Sequence, residues 1–518
     1  MSQPTAASNL TVAMIVRDCA DGLRESLGSV KAIADEIVIV DTGSEDDTVD
    51  VAESFGARVI QHPWQDNFSA ARNAGLAAAQ SKWILWLDAG ETLTPDDAQQ
   101  LQSYLHAASQ ADTAYLCHIE VSPNGPTAAA EQVARVRVLP NHPGLRFEGR
   151  IRESIVPSLK TLQIGIDSLP IRICRSIREH NLDSKQAKAR RNIRLADLQI
   201  KENSPTTEML NCLGDAFQTL EDNDRAVQFF RHALQASEHG SADMLEAYYG
   251  IITSLDANAD HREMQLATCI QALEIFPLDA QLLCAMGGYL QAQGQTELAM
   301  QSYQTAHLHG QVNPSVWHVG EVHEIAAICY SLMLQMLGRD AEALQVIDDA
   351  LTARGNSVRL RRHLIELLIK LGRRDTALQQ VNELPGDFPN RDALRSAIRG
   401  ACLAAANNWI AAKAYLNTAY RAGCRDPICL RWFATTLLAA GEVDDARSIV
   451  EQWTQIEPTN ATAQQFQAAL QNSPSQAPAP PKQVRIDAPD SQQSHLSGSP
   501  LHLPSHQASP GRRASGRR

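Results

Sequence analysis

The sequence has no Cys-x-x-Cys pair, no apolar run long enough to cross a bilayer and no surplus of positive charge, and each absence closes off a class of function. Its ten cysteines, at 19, 117, 174, 212, 269, 284, 329, 402, 424 and 429, are scattered without zinc-ligand spacing. Reduced thiols in a cytoplasmic protein are the expectation. The opening MSQPTAASN lacks a basic segment, and the apolar run Leu10–Val16 is shorter than a signal-peptide core or a membrane span, so neither secretion nor membrane insertion is expected. With 46 Lys and Arg against 59 Asp and Glu, a net charge of −13, the chain is not suited to nucleic acid, whose phosphates require a basic face. Basic residues gather only between Arg172 and Arg194, where a solvated connecting helix competes with an anion-binding or inter-domain surface.

What is present is enough apolar residue, 44% of 518 positions, to bury more than one core; length alone allows roughly three to four domains, or one domain and an array. The first 120 residues alternate short β-branched runs with helical stretches, the pattern of a parallel sheet built from β-α units. LTVAMIV (10–16), EIVIVD (36–41), ARVIQH (57–62) and WILWLD (83–88) read as strands, and 21–33, 46–55 and 68–80 as helices that lay an apolar stripe on the sheet. Thr94 and Pro95 offer an N-cap and a first helical residue for a further helix.

From about Ser204 the pattern is helical throughout and repeats. Gly294, Gly338, Gly372, Asn407 and Gly441, spaced by 44, 34, 35 and 34 residues, are each followed five positions later by an alanine: 299, 343, 377, 412 and 446. That is the tetratricopeptide period with one insertion. Gly or Asn suits a left-handed turn, and a small alanine lets the second helix of a pair lie close to the first. Leu213, Gly214, Phe217, Ala226, Phe230 and Ala233 fit another repeat, and Gly287, Tyr303 and Ala306 complete the one containing Gly294; Pro389 and Pro458 fall at repeat ends. The expected organisation is an α/β domain over 8–180, a connecting helix over 181–205, an all-α tetratricopeptide-like solenoid over 206–470 and a Pro/Ser/Gln-rich tail over 473–518 whose composition predicts disorder.

In an open α/β sheet the ligand lies at the carboxyl ends of the strands, which directs attention to four segments. VDTGSEDDT (40–48) places Asp41 at a strand end, where a carboxylate can accept the N3–H of uracil; an ordinary strand-to-helix turn is the alternative. NFSAARNAG (67–75) puts Arg72 and Asn73 on the first turns of a helix, Arg72 near enough to Asp41 to orient it or to meet a diphosphate. WLDAGE (86–91) sends Asp88 and Glu91 out of the sheet together, and carboxylates there can hold Mg²⁺ or Mn²⁺, hard cations that take oxygen ligands. RFEGRIRES (146–154) supplies Glu148, Arg150, Arg152 and Glu153.

Taken in order, MIV (14–16), DEIVIVDTGSEDDTV (35–49), DNFSAARNAGL (66–76), WILWLDAGE (83–91) and FEGRIRE (147–153) resemble bacterial family-2 glycosyltransferases that carry C-terminal tetratricopeptide repeats; a related arrangement occurs in peptide S-glycosyltransferases of the sublancin type. The resemblance covers roughly residues 8–180. It implies a glycosyltransferase A fold, Rossmann-like with a mostly parallel sheet, a uridine-diphosphate sugar as donor and inversion of the anomeric centre. By the same resemblance Asp41 would contact the uracil, Arg72 would stand beside the nucleotide and Asp88 would be the first carboxylate of a D-x-D metal motif. The chain departs from the family at three places. LDAGE stands for LDADE, so Gly90 replaces the second metal-binding aspartate; RIRE stands for RIHE, so Arg152 replaces a histidine; and Arg17-Asp18-Cys19-Ala20 stands for KNEE.

The resulting expectation is an inverting transferase that moves a sugar from a nucleotide-diphosphate sugar to a protein, peptide or glycan acceptor. Mn²⁺ or Mg²⁺ would be weakly bound at Asp88 or dispensable, because a guanidinium at Arg152 can bind diphosphate oxygens. Glu153 and Glu91 are the candidate general bases, and the repeats are expected to bind the acceptor or a partner protein. A rival expectation is a catalytically degenerate transferase domain serving as a protein-binding scaffold. A nucleotidyltransferase is disfavoured, because no Gly-rich, Arg/Lys-containing loop follows the first strand.

Overall fold

A computed structural model gives the fold and describes residues 9–108, 112–121, 130–175, 182–256, 261–355, 357–386, 388–457 and 460–471. The N-terminal part runs β1 (Leu10–Val16), α1 (Ala20–Val30), β2 (Glu36–Asp41), α2 (Thr48–Ser54), β3 (Arg58–Gln61), α3 (Phe68–Ala78), β4 (Trp83–Trp86), β5 (Glu91–Leu93), α4 (Pro95–Ala107), β6 (Thr113–Val121), β7 (Glu131–Pro140), α5 (Val156–Thr161) and β8 (Gly165–Arg175). The strands lie in one sheet in the order β3-β2-β1-β4-β7-β6-β8-β5. The first four are parallel, as the alternation with helices predicts; β7 then runs antiparallel to β4, and the far half of the sheet is mixed.

Strand alternation sends successive side chains to opposite faces, and each face has its own core. On one, Val12, Met14, Ile39 and Leu85 pack with Leu23 and Leu27 of α1 and Leu101 of α4. On the other, Ala13, Ile84 and Trp86 pack with Leu139, Phe147 and Leu159. Gly75 lets α3 lie directly on this second face: a Cβ there would stand 3.0 Å from the Trp86 ring and 3.3 Å from Val40. Helix α4 starts as its sequence predicts, with Pro95 in the first turn and the Thr94 hydroxyl accepting from the Asp97 N–H at 3.1 Å.

The long helix α6 (Leu182–Glu202) leads into helical hairpins: α7 (Thr207–Thr219), α8 (Asn223–Ala236), α9 (Ala242–Leu255), α10 (Arg262–Ile275), α11 (Ala280–Ala292) and α12 (Thr296–His309). A two-residue strand β9 (His318–Val319) interrupts the array before α13 (Val322–Met336), and helices continue to Gln471. All five turn residues predicted from the repeat are left-handed, with φ of +74° at Gly294, +72° at Gly338, +70° at Gly372, +60° at Asn407 and +80° at Gly441. The five alanines that follow them are fully buried. Glu221, φ +62°, makes the same turn ahead of the buried Ala226, and the Gly/Asn pattern had no means of finding it. Gly214 and Gly250 flank the Phe230 ring, where a Cβ would come within 2.6 and 2.4 Å of it.

The insertion that stretches one interval to 44 residues docks on the sheet. His318 and Val319 pair antiparallel with Gln132 and Glu131 of β7, Gly320 N–H donates to Ala130 O at 2.8 Å, and Arg135 Nη1 donates to Ser315 O at 2.7 Å. Sheet and array therefore share a main-chain hydrogen-bonded edge. The tail expected over 473–518 and the repeat-ending Pro458 lie outside the described residues. Among the described residues no helix is long and apolar enough to cross a membrane.

Candidate active site

The carboxyl ends of β1, β2 and β4 open on the same side, and their loops are tied together. After β2, Asp41 is buried; its carboxylate accepts from Ser44 Oγ at 2.6 Å, Ser44 N at 3.1 Å and Gly43 N at 3.3 Å, which folds the Thr42-Gly43-Ser44 turn around it. Gly43, at φ +104°, supplies the left-handed step that this turn requires. The Arg17–Ala20 loop interlocks with the same turn: Asp18 Oδ1 accepts from Glu45 N at 2.7 Å, and Cys19 N donates to Thr48 Oγ1 at 2.8 Å.

Helix α3 brings Arg72 to the end of β4. Asn67 caps the helix, its side chain accepting from Ala70 N at 3.0 Å. The 147–153 segment is clamped across the first turns: Asn73 exchanges two hydrogen bonds with the Phe147 backbone, Ser69 Oγ donates to Gly149 O at 2.6 Å, and Phe68 N donates to Arg150 O at 3.0 Å. This clamp delivers Glu153 to Arg72, whose Nε donates to Glu153 Oε1 at 2.6 Å while Nη2 donates to Asp88 Oδ1 at 3.1 Å. The guanidinium lies 4.9 Å from the Trp86 ring centroid and 5.3 Å from that of Phe147, so its plane is fixed as well as its charge.

Two further arginines close on the same carboxylates. Arg137 of β7 and Arg175 at the end of β8 both donate to Asp88 Oδ2, at 3.2 and 3.0 Å, and to Glu91 Oε1, at 2.8 and 2.5 Å. The remaining Glu91 oxygen accepts from Asp88 N at 2.9 Å, and the Glu91 side chain has no exposure to solvent. Burial works to raise the Asp88 pKa, and the fields of Arg137, Arg72 and Arg175 outweigh it, holding this carboxyl well below the usual range. Arg137 was not among the residues that the sequence pointed to, and Arg175 was included only as part of the basic stretch between Arg172 and Arg194. The signal for Arg137 was a charged residue inside the apolar ARVRVL stretch, since a buried arginine in a strand must be paired.

Arg152 points elsewhere. Its guanidinium donates to Glu246 Oε1 of α9 at 2.8 Å and to Asp215 of α7, so it joins the 147–153 segment to the first repeats. Arg150 does the same for α6 through Glu202 at 2.9 Å.

Residues 11–148 match the family model described as Glycosyl transferase family 2, and residues 336–400 match a Tetratricopeptide repeat model. The chain carries a family-2 glycosyltransferase domain followed by tetratricopeptide repeats. It is 37% identical over 159 residues to a TPR repeat-containing protein of Synechococcus elongatus, covering 30% of this chain and 38% of that one. It is 33% identical over 99 residues to an uncharacterized glycosyltransferase of Rickettsia bellii, 19% of this chain and 33% of that protein. A more distant match, 21% over 240 residues, is to the SPbeta prophage-derived glycosyltransferase SunS of Bacillus subtilis, 43% of this chain and 53% of that one. The chain thus spans about a third to a half of the length of these relatives. Among solved structures, a tetratricopeptide repeat protein from Parabacteroides merdae overlaps 51% of this chain and 99% of its own at 18% identity, with a TM-score of 0.38. Glucosyl-3-phosphoglycerate synthase from Mycobacterium tuberculosis overlaps 36% of this chain and 80% of its own at 17% identity, with a TM-score of 0.27.

Gly90, which the resemblance expects to stand in place of an aspartate, occupies a position that suits glycine. Gly90 sits at φ +93° and donates its N–H to Ser26 Oγ at 2.9 Å, a left-handed position that disfavours an aspartate. A divalent cation needs several oxygen ligands at close range. Both Asp88 oxygens face guanidinium groups and Glu91 is enclosed, and among the described residues no three His, Cys, Asp or Glu side chains converge as a ligand set. The residues of the family-2 domain at Asp88 do not fit a divalent cation.

Proposed function

We propose that the protein transfers a sugar, with inversion, from a uridine-diphosphate sugar to a protein, peptide or glycan acceptor that the repeats help to bind. The observation that supports this reading best is the join at the end of β4, where Arg72 links Asp88 to Glu153 within a family-2 domain. In the proposed arrangement Asp41 accepts the uracil N3–H, and Arg72 stands beside the nucleotide. Glu153 is the general base, because its side chain retains 13% exposure whereas Glu91 has none; Glu91 acts as an internal counter-ion to Arg137 and Arg175. Arg152, bound to Asp215 and Glu246, positions the segment that carries Glu153 against the repeats, which connects acceptor binding on the array with the base.

A thermal-shift screen of nucleotide sugars tests the donor. Uridine diphosphate should give the largest shift, and Asp41→Ala should weaken its binding ten-fold or more by calorimetry, since losing a buried charged acceptor costs about 1.5–3 kcal/mol. Unchanged affinity removes Asp41 from the site. The scaffold reading takes over if no nucleotide binds while the repeats still capture a protein partner.

A further inference from the structure

The cationic side chains at the end of β4 outnumber the carboxylates they neutralise. Asp88, Glu91 and Glu153 are balanced by Arg72, Arg137 and Arg175 through the ion pairs described above. Helix α6 then adds two more cations. Lys188, with an exposed side chain, lies in electrostatic range of Arg175, Arg191 and Asp88, and the protein around it together with the two arginines lowers its pKa. Arg191 stands 5.2 Å over the Phe68 ring and within range of Glu153. Five cations against three carboxylates leave two positive charges, the charge a divalent cation would bring to a diphosphate. Hydrogen-bonding capacity is left over too. The Nε atoms of Arg137 and Arg191 are buried with no hydrogen-bond partner, and Arg175 keeps 36% of its side chain exposed with Nη2 alone engaged among the described residues. Buried guanidinium N–H groups without an acceptor are costly unless an anion completes them. A second group, Arg135 and Arg152 with Asp215, Asp243 and Glu246, adjoins at the array boundary and is closed on itself by the Arg152 ion pairs.

We propose that Arg175, Lys188 and Arg191 bind the diphosphate of the donor directly, so that transfer proceeds without a divalent cation and the connecting helix α6 is part of the donor site. The proposal rests on the transferase reading. In the step it serves, the acceptor's nucleophilic atom forms a bond to the anomeric carbon as the bond from that carbon to the diphosphate oxygen breaks. The bonding pair leaves on the nucleoside diphosphate, and the acceptor proton passes to Glu153. The guanidinium and ammonium groups stabilise the charge that accumulates on the leaving oxygen. This also assigns a task to the basic stretch between Arg172 and Arg194.

Calorimetry on the full chain with uridine diphosphate and with inorganic pyrophosphate, each in EDTA and in Mn²⁺, tests it. Both probes should bind in EDTA, with affinities within about two-fold of those in Mn²⁺, and should weaken steeply with salt. Lys188→Ala should weaken both probes several-fold and Arg175→Ala ten-fold or more, each variant checked for cooperative melting. Uridine diphosphate that binds only with Mn²⁺, with Lys188→Ala behaving as wild type, overturns this proposal and leaves the transferase reading standing. Pyrophosphate that binds in EDTA when uridine diphosphate binds no tighter supports the anion site and removes the uridine assignment. No binding of either probe under either condition overturns both.

Discussion

Removing the Arg72 guanidinium tests whether the site is held by that one side chain. Arg72→Ala deletes the 2.6 Å charge-assisted bond to Glu153, whose side chain is 13% exposed, and a 3.1 Å bond to Asp88. A hydrogen bond to a charged group is worth about 1.5–3 kcal/mol, and the two aromatic contacts about 0.5–1 kcal/mol each. The Asp88 contact is discounted, because that side chain is 35% exposed and keeps Arg137 and Arg175. The sum is about 3 kcal/mol, or a fall of roughly 6–12 °C in Tm for a domain of this size. Differential scanning fluorimetry on the full chain reads the stability. Arg72→Lys, which keeps charge but loses the planar fork, should recover only part of it. Nucleotide binding measured on Arg72→Ala below its melting temperature should fall with it. A variant that melts within about 2 °C of wild type and binds nucleotide unchanged would refute the idea that Arg72 organises this site.

Two more predictions concern the array and its junction. Burial lowers the His363 pKa from 6.5 to about 4, so the unfolded chain binds a proton that the folded chain refuses between those values; stability is full above about pH 7 and falls, by about 3 kcal/mol in all, as pH drops from 6.5 towards 4. Melting curves from pH 7.5 to 5 should show this slope and His363→Gln should flatten it; equal slopes would mean that His363 does not carry the effect. At the junction, Gly320→Pro removes the N–H that donates to Ala130 O, and hydrogen exchange across 130–135 should speed up while that across β1 and β2 stays protected; unchanged exchange at 130–135 would show that the sheet does not depend on this edge.

Most of the architecture was legible because it is written in local patterns. Short β-branched and apolar runs marked β1 to β4, and a carboxylate or arginine just past a strand or at a helix start marked Asp41, Arg72 and Asp88. The repeat register was readable because a left-handed turn needs Gly or Asn in most sequences and a close helix crossing needs a small residue. Glu221 escaped for the same reason: it adopts that turn without the residue type that announces it. Arg137 escaped, and the pairing of Arg175 with Asp88 escaped within its basic stretch, because both come from strands far along the chain, and only the antiparallel return of β7 beside β4 and the fold of β8 bring them to Asp88.

The sequence by itself thus determined the two-part organisation, the strand and turn positions and the strand ends where chemistry could gather, since each depends on residues a few positions apart. Tertiary structure alone decided the partners of each charge: that Glu91 is enclosed, that Arg152 turns to Asp215 and Glu246, and that the ten extra residues before α13 add a strand to the sheet. The physical reason is that an ion pair is fixed by which elements pack together. A charge at a given position reads the same along the chain whether it meets a ligand, a repeat helix or another side chain.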